Sequence, residues 1–182
     1  MKIDELIKKD KTFTEANLLA KVDNIFIMLL SSIMVGNLDR VKHKLSNSLF
    51  NEYNLFLNRL KENNEIQIFD ELNVKSSEII DIEEDTDKYV VKIRLVARYM
   101  KYKINSNTRK YKSGNDTSRV EEKYILVMTK SKNAVDEDII KVCPGCGASI
   151  DVNNSGICSY CGTVYNTKDY DWILEKIIED ID

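Results

Sequence analysis

The chain has 182 residues, of which 43% are hydrophobic and 31% charged, and its formal net charge is −3. This composition is typical of a soluble globular protein with one sizeable core and room for a small additional module. The weakly acidic balance gives no overall reason to expect nucleic acid as a partner. One proline and six glycines argue against long disordered linkers.

The N-terminal segment carries acidic residues early and no apolar signal core, so we expect no export signal. The longest apolar stretch, Ile25 to Val35, is interrupted by two serines and is too short to cross a bilayer. The sequence therefore predicts a cytoplasmic protein, with peripheral attachment to a membrane as the alternative.

The first third of the chain has helical periodicity. Thr12 or Thr14 is the predicted N-cap of a long helix, and Gly36 with Asn37 would end it. We expect burial on most sides, because its apolar stripe is wide. The stripe consists of Leu18, Leu19, Val22, Ile25, Phe26, Leu29, Leu30 and Ile33, widened by Ile27, Met28 and Met34. A second helical stretch over 38–62 should break near residues 46–48.

The periodicity then changes to two, which predicts strands at 66–84, 89–99 and 122–129. In the clearest strand one face is apolar, and it carries Tyr89, Val91, Ile93, Leu95, Ala97 and Tyr99. We place a turn at 113–116, where Ser-Gly-Asn-Asp occurs. Helices followed by antiparallel strands indicate the α+β class.

Two tight cysteine pairs, Cys143 with Cys146 and Cys158 with Cys161, hold all four cysteines of the chain. Each pair has the spacing of a zinc knuckle, and two knuckles form a closed tetrahedral sulfur site for one structural Zn²⁺. A glycine follows the second cysteine of each pair, where a positive φ is usually needed. A disulfide pair and redox or iron–sulfur chemistry are the alternatives.

These signals divide the chain into an α+β domain over 1–135, a zinc ribbon over 140–166 and a C-terminal segment over 167–182. The last segment is predicted to be a short amphipathic helix from the spacing of its apolar residues, which are Tyr170, Ile173, Leu174, Ile177, Ile178 and Ile181. Packing on the core or an isologous contact with a second chain would bury that helix.

Three motifs carry a resemblance to a known family. The N-terminal helix has the form D-x-T-F-T-x-A-N-L-L-x-K-V, and a broken helix follows "GNLDRVKHKLSNSLFNEY". The cysteine knuckles C-P-x-C-G and C-x-Y-C-G precede Asp171-Trp172-Ile173-Leu174. Over roughly 10–178 the chain resembles the C-terminal domain of the translocase-of-the-inner-membrane subunit 44 family, in a bacterial branch with a zinc ribbon.

The resemblance implies a cone-shaped domain, similar to nuclear transport factor 2 and cystatin. In such a domain a curved antiparallel sheet wraps around a long helix and leaves an apolar cavity. It also implies a binding module, whose membrane-tethering role does not transfer because the N-terminal segments for it have no counterpart here. If the cavity exists, a lipid or acyl chain would suit its walls.

Basic residues interleaved with tyrosines run from Lys88 to Asn115, a stretch without aspartate or glutamate. They could form a surface for an anionic partner, with phosphate or headgroup contacts. The favoured interpretation is a solvated strand face paired with the acidic segment before it, and the surface for an anionic partner is the alternative. The residues proposed for this surface are Lys92, Arg94, Arg98, Lys101 and Lys103.

Other candidate sites are weaker. His43 is the only histidine and reads as a surface residue, with a general base in the cavity as the alternative. An aromatic set reads as core, with a pocket lining as the alternative, and it consists of Phe50, Tyr53, Phe56 and Phe69. Apolar residues of the ribbon could supply a docking surface; these are Val142, Ile150, Val152, Ile157 and Tyr160.

The sequence therefore predicts a non-catalytic adaptor with a structural zinc site, acting through another protein and either membrane-peripheral or lipid-binding. An enzyme that uses the cavity is the first alternative, and a nucleic-acid-binding zinc ribbon is the second. The second is disfavoured because the ribbon is nearly neutral and the segment after it is acidic. A homodimer stays open.

Overall fold

The computed structural model describes residues 1–134, 143, 146–149, 158–162 and 171–181. Within these residues the helices come first and the strands follow, as the α+β prediction requires. The helices are α1 (Ile3–Lys9), α2 (Glu15–Val35), a 3₁₀ helix (Lys42–Lys44) and α3 (Asn47–Glu62). The strands are β1 (Glu65–Glu84), β2 (Lys88–Asn105), β3 (Tyr111–Ser131) and β4 (Ile173–Glu179).

The strands form one antiparallel sheet in the order β1-β2-β3-β4. The pairing of β1 with β2 shifts register at three places, between Asp70 and Asn73, Val74 and Ser76, and Ile79 and Asp81. Irregularities of this kind bend a strand and increase its twist. The sheet can therefore follow the surface of the helix packed on it.

The core lies between α2 and the predicted apolar face of β2, which is buried along its whole length. The matching face of β3, with Tyr124, Leu126 and Met128, completes this inner surface. Phe26 of α2 packs on Tyr124 with ring centroids 5.3 Å apart. The period-two prediction for both strands is confirmed.

The ends of the long helix follow local chemistry. The side chain of Thr14 accepts a hydrogen bond from the backbone N–H of Asn17, so Thr14 is the N-cap. Gly36 ends the helix with φ 77°, and its N–H donates to the carbonyls of Ser32 and Ile33. Both predicted ends are confirmed.

The second predicted helical stretch is shorter than expected, because α3 begins only at Asn47. The hydroxyl of Ser46 accepts a hydrogen bond from the N–H of Leu49 at 3.1 Å and caps the helix there. Residues 38–45 form turns and the 3₁₀ helix instead. Leu38, Val41 and Leu45 are buried by tertiary packing, so their helical spacing did not require a helix.

The predicted turn at 113–116 is wrong, since these residues belong to β3. The turn lies between Asn105 and Lys110, where the Asn105 carboxamide accepts from the N–H groups of Asn107 and Thr108 at 2.9 Å. An asparagine side chain can replace a backbone acceptor in this way. Gly114 has φ 106° and lets the backbones of β2 and β3 approach each other closely.

The predicted C-terminal helix is also wrong. Residues 173–179 form β4, which pairs antiparallel with β3 from Thr129↔Ile173 to Tyr124↔Glu179. A helix this short is marginal without packing, whereas isoleucines suit a strand that has a partner. The segment after the cysteines is therefore part of the same sheet as β1 to β3.

Candidate metal centre and binding surfaces

The four cysteines converge on one point. The sulfurs of Cys143 and Cys161 are 3.5 Å apart, and those of Cys146 and Cys158 are 3.8 Å apart. All four Sγ atoms lie within 4.8 Å of one another. These two contacts join the first knuckle to the second, so the four sulfurs form one cluster.

The two knuckles have the same backbone geometry. The N–H of Gly147 donates to the carbonyl of Cys143, and the N–H of Gly162 donates to that of Cys158, each at 2.9 Å. Gly147 has φ 74° and Gly162 has φ 73°. This left-handed conformation is the one that was predicted from the two glycines, and it turns the chain around each sulfur pair.

The donor set fits a metal ion. Sulfurs that surround Zn²⁺ tetrahedrally at about 2.3 Å are separated by about 3.8 Å from one another. A disulfide needs about 2.05 Å, and the cysteines are free. Cys143 and Cys158 are buried while Cys146 and Cys161 are exposed, so the cluster has an inner and an outer side.

The thiols also affect one another electrostatically. A backbone hydrogen bond from Ala148 lowers the pKa of the exposed Cys146, but the neighbouring sulfurs, first that of Cys161, outweigh it and raise the pKa to about 12. Sulfurs this close resist ionisation together. A cation at their centre supplies the missing charge, and its binding releases protons.

The cluster is carried between two neighbouring strands. The chain leaves the sheet at the end of β3 and returns at Asp171, immediately before β4. Asp171 is buried and forms an ion pair with Lys21 of α2. Trp172 packs edge-on against Phe13 with ring centroids 6.1 Å apart.

β4 has a second attachment on its other side. The backbone N–H of Ser46 donates to the carbonyl of Leu174 at 2.9 Å, and the Ser46 hydroxyl donates to the carbonyl of Glu175. The Asp-Trp-x-Leu motif therefore anchors the returning chain to α2, to the α1–α2 turn and to the start of α3. The sequence singled out this motif but not its anchoring role.

The five basic residues proposed for an anionic partner all lie beside carboxylates. Lys92 contacts Asp81 at 2.9 Å and also Glu83. Arg94 contacts Glu78 at 3.2 Å and Asp180 at 3.1 Å.

The remaining three are paired as well. Arg98 lies 3.8 Å from Glu121. Lys101 and Lys103 contact Glu122 and Glu65 at 3.0 and 2.8 Å. A partner's anion would therefore have to compete with carboxylates that are already in place.

A polar cluster that the sequence did not predict lies where the apolar inner face of the sheet ends. The hydroxyls of Tyr99 and Tyr124 are 2.5 Å apart, and both donate to Glu122. Partial burial raises the pKa of Glu122, but hydrogen bonds from Tyr124 and Tyr99 outweigh it and hold the pKa below its ordinary value. Burial, with Glu122 adding to it, raises the pKa of both tyrosines.

At neutral pH Glu122 is therefore ionised and the two phenols keep their protons. A general acid or base works best with a pKa near the working pH, and this cluster holds its groups away from it. Both tyrosines had been identified only as strand residues facing the core. Their hydroxyls meet because β2 and β3 pair, which a period of two cannot reveal.

The structure places His43, predicted to be a surface residue, and the aromatic set in partly or fully buried positions. His43 lies half-buried in the 3₁₀ helix, where burial, with Lys44 adding to it, lowers its pKa. In the described part of the chain its Nδ1 is buried and has no hydrogen-bond partner. Among the four aromatic residues Phe69 is buried, packs edge-on against Tyr99 and belongs to the core, and the other three pack on that core.

Of the proposed ribbon docking residues, Tyr160 is exposed, and the other four lie outside the described residues.

The outer face of α2 is open, contrary to the expected burial on most sides. Ile27 is 38% exposed and Val35 79% exposed. One sheet covers one face of a helix, so Ile27 and Val35 point outward. Met28 and Met34, in contrast, are half-buried against the core. A groove of about 830 Å³ runs along this face, lined by residues of α2, by Asn37, Asp39, Arg40 and Lys44, and by Asp171.

By length and composition, α2 is the one helix among the described residues that could cross a membrane. The stretch 25–35, which was predicted to be too short for a bilayer, is part of a longer helix that has the length and composition to cross one, so that prediction is wrong on length. In the fold, 44% of its most apolar window is buried. A core helix of a soluble protein passes the same test, so this length alone assigns no location.

Helices packed on one antiparallel sheet define an α+β domain, with an open groove on α2 and a polar cluster at Tyr99, Glu122 and Tyr124. The profile of the Tim44-like domain matches residues 1–138, so the chain belongs to the Tim44-like domain family. Such domains are in general non-catalytic and interact with proteins and membranes. No curated protein matches the chain.

The family assignment confirms the predicted resemblance for the domain. The bacterial branch remains a prediction. The match ends at residue 138, so β4 lies outside it although β4 completes the sheet.

Proposed function

We propose that this protein is a non-catalytic adaptor that binds an amphipathic helix of a partner protein in the groove on α2. The observation that carries the proposal is the open apolar face of a helix whose opposite face forms the core. Apolar side chains that line one groove at a protein surface often mark a binding site, whereas apolar residues scattered singly do not.

The shape of the groove favours a helix as the occupant. The groove follows α2 from Asn17 to Val35, a length of about 27 Å at 1.5 Å per residue. Its apolar positions form one stripe along the helix, as a helix-in-groove contact requires; they are Ala20, Ile27, Met28 and Val35.

The rim of the groove adds charge specificity. Lys21, Arg40 and Lys44 are its cations, and Asp39 and Asp171 are its carboxylates. Because Lys21 is ion-paired with Asp171, the balance depends on Arg40 and Lys44 against Asp39. This excess of one cation favours a partner helix that carries acidic residues beside its apolar face.

The cysteine cluster serves this role as a structural site for one Zn²⁺ per chain. Four protein sulfurs fill a tetrahedral shell, which leaves no position for water or substrate. The bound ion would supply folding energy to the residues between β3 and β4 rather than chemistry. Attachment of the adaptor to a membrane from the cytoplasmic side belongs to the same proposal.

A photo-crosslinking amino acid at Val35 tests the proposal in cells of the native host. Leu55 of α3 is the matched control, because it is an apolar residue on a helix surface and 63% exposed but lies outside the groove. We expect a protein adduct at Val35 and none at Leu55. The crosslinked segment should carry apolar residues at helical spacing.

Equal protein adducts at both positions would contradict the proposal, and so would an absence of adducts. A lipid adduct at Val35 alone would favour the lipid-binding alternative, for which the groove has a suitable volume and apolar walls. Native mass spectrometry without detergent would then identify a retained acyl chain.

The surface of Lys92, Arg94, Arg98, Lys101 and Lys103 remains a proposed contact for an anionic partner. Because each of the five has a carboxylate beside it, we expect at most weak binding there. Cosedimentation with anionic vesicles at low and moderate salt measures it.

A further inference from the structure

Two turns meet at the end of the sheet where β2 joins β3. The backbone N–H of Ser106, in the β2–β3 turn, donates to the carbonyl of Asn64, in the α3–β1 turn, at 2.9 Å. The ammonium of Lys112 donates to the carbonyl of Asn63 at 3.2 Å. Residues distant in sequence thus form one surface.

This end of the molecule is strongly basic. The last turn of α3, the end of β2, the β2–β3 turn and the start of β3 each contribute cations. We call this set the basic pole, and it consists of Arg59, Lys61, Lys103, Arg109, Lys110 and Lys112. The whole chain has a net charge of −3, so the rest of the molecule is markedly acidic.

The basic pole differs from the predicted basic surface in its charge balance. Along the middle of the sheet Lys92 and Arg94 each contact two carboxylates. At the basic pole one carboxylate, Glu65, serves both Lys103 at 2.8 Å and Lys112 at 3.0 Å. These two lysines hold the pKa of Glu65 below its ordinary value.

The other four cations of the basic pole form no ion pair with any residue that the structure describes. All four are exposed: Arg59, Lys61, Arg109 and Lys110. Glu62, exposed at the end of α3, is a nearby carboxylate that pairs with none of the four within the residues described. Cations therefore remain in excess at this surface, and a bound anion would offset their mutual repulsion.

We propose that the basic pole is a second docking surface, which binds an acidic segment of a partner protein. Glu65 already shows that a carboxylate fits between two cations of this surface. Two amide side chains of these turns donate within the protein, Asn63 to the Arg59 carbonyl and Asn107 to the Asn64 side-chain oxygen, and each amide nitrogen has a second N–H that suits a carboxylate.

A short acidic segment fits this surface better than an extended polyanion. Screening confines the field of the basic pole to about 8 Å at physiological ionic strength, so a short segment senses mainly these cations. A nucleic acid or a membrane presents charge over a wider area, where it would also meet the acidic remainder of the molecule.

Direct binding tests the proposal, with a short fluorescent polyglutamate peptide as the probe and fluorescence anisotropy as the readout. We expect salt-sensitive binding to the wild-type protein. The double variant Lys61→Glu/Lys110→Glu should lose about tenfold or more in affinity, because two attractive charges become repulsive. Both residues are exposed, so the fold should tolerate the changes.

The control is Lys8→Glu/Lys123→Glu, which changes the net charge equally at two exposed lysines outside the basic pole. It should bind within about twofold of wild type. The peptide affinity of the neutral variant Lys61→Gln/Lys110→Gln should lie between those of wild type and Lys61→Glu/Lys110→Glu. Circular dichroism checks that every variant is folded.

Three results would overturn the proposal: no binding of the peptide, equal loss in both double variants, or tighter binding of a single-stranded oligonucleotide or of anionic vesicles than of the peptide. The outcome is independent of the α2 groove, because the probe has no apolar face and the substituted residues lie outside the groove.

Discussion

At Gly114 the backbone geometry leaves no room for a side chain. An added Cβ would lie 2.5 Å from the Lys101 carbonyl oxygen and 2.6 Å from the Tyr102 Cα, both of them backbone atoms of β2. Its φ of 106° is also one that side chains rarely adopt. The two strands approach closely here because this glycine lacks a side chain.

We expect Gly114→Ala to destabilise the protein by about 2–4 kcal/mol, through strand displacement added to backbone strain. Urea denaturation followed by circular dichroism measures the change. Gly36→Ala is the control, since Gly36 also has a positive φ but open space around it. Its cost should be about 1 kcal/mol, and equal costs would show that strain rather than strand contact governs both sites.

Asp10 links the α1–α2 turn to the sheet through an ion pair with Lys130 at 2.7 Å. Both side chains are nearly buried, with 9% and 11% exposed. Burial raises the pKa of Asp10, but hydrogen bonds from Lys130 and Thr12 outweigh it and leave the pKa below its ordinary value of 3.8.

A carboxylate with a lowered pKa stabilises the folded protein above its unfolded pKa, and this stabilisation is lost as the pH falls through the folded value. We therefore expect the contribution of Asp10 to be complete at neutral pH and to disappear as the pH falls below about 4. Asp10→Asn should lower the stability at pH 7 by about 1–3 kcal/mol. Its stability should then fall less steeply than that of wild type below pH 4.

Thermal unfolding between pH 3 and pH 7 measures both slopes. Parallel curves for wild type and Asp10→Asn would assign the acid sensitivity to other carboxylates. Glu84 is one such group, because Lys9 and Lys132 lower its pKa to about 2.

At the scale of elements, the notable feature is that the metal cluster lies within the connection between two paired strands. β4 is held by its pairing with β3, by Trp172 against Phe13 and by the Lys21–Asp171 ion pair. None of these contacts involves a cysteine. Metal binding shortens the β3–β4 connection, yet a halving of loop length changes the closure cost by only about 0.6 kcal/mol.

We therefore expect about one zinc per purified chain, and we expect its removal by a chelator or by Cys158→Ser to leave the sheet assembled. Hydrogen exchange should rise sharply around the cysteines but only about two- to threefold in β4, in line with the small closure cost. Unchanged protection in β1 to β3 serves as the internal control.

Complete loss of protection in β4 on metal removal would show that the cluster and the sheet unfold as one unit. A chain without zinc but with intact knuckle geometry would contradict the structural role of the ion.

At the scale of the whole molecule, the basic pole and the start of the connection that carries the cysteines lie at opposite ends of β3. β3 begins at the basic pole and ends where the chain departs toward the cysteines, and it has 21 residues. Fully extended, such a strand spans about 70 Å at most. With the groove on α2, the protein offers distinct contacts along its length, which suits an adaptor that joins partners.

The sequence by itself determined the features that depend on local chemistry. Thr14 and Gly36 delimit α2, alternation defines the buried face of β2, and glycines after each cysteine pair fix the knuckles. Helix caps, the alternation of side chains along a strand and left-handed turns each depend on only a few neighbouring residues, so the sequence alone can predict them.

Only the tertiary structure decided which partner each segment has. The spacing of the isoleucines near the C-terminus predicted a helix, but this segment pairs with β3 as a strand. Burial on most sides was predicted for α2, but Ile27 and Val35 are exposed because only one face of the helix is covered by the sheet. The same holds for Tyr99 with Tyr124 and for the basic pole, which pairing and turn contacts bring together. Burial and charge pairing depend on contacts between segments that are distant in sequence. A periodic pattern shows which face of a helix or strand a residue lies on, but not which segment packs against that face.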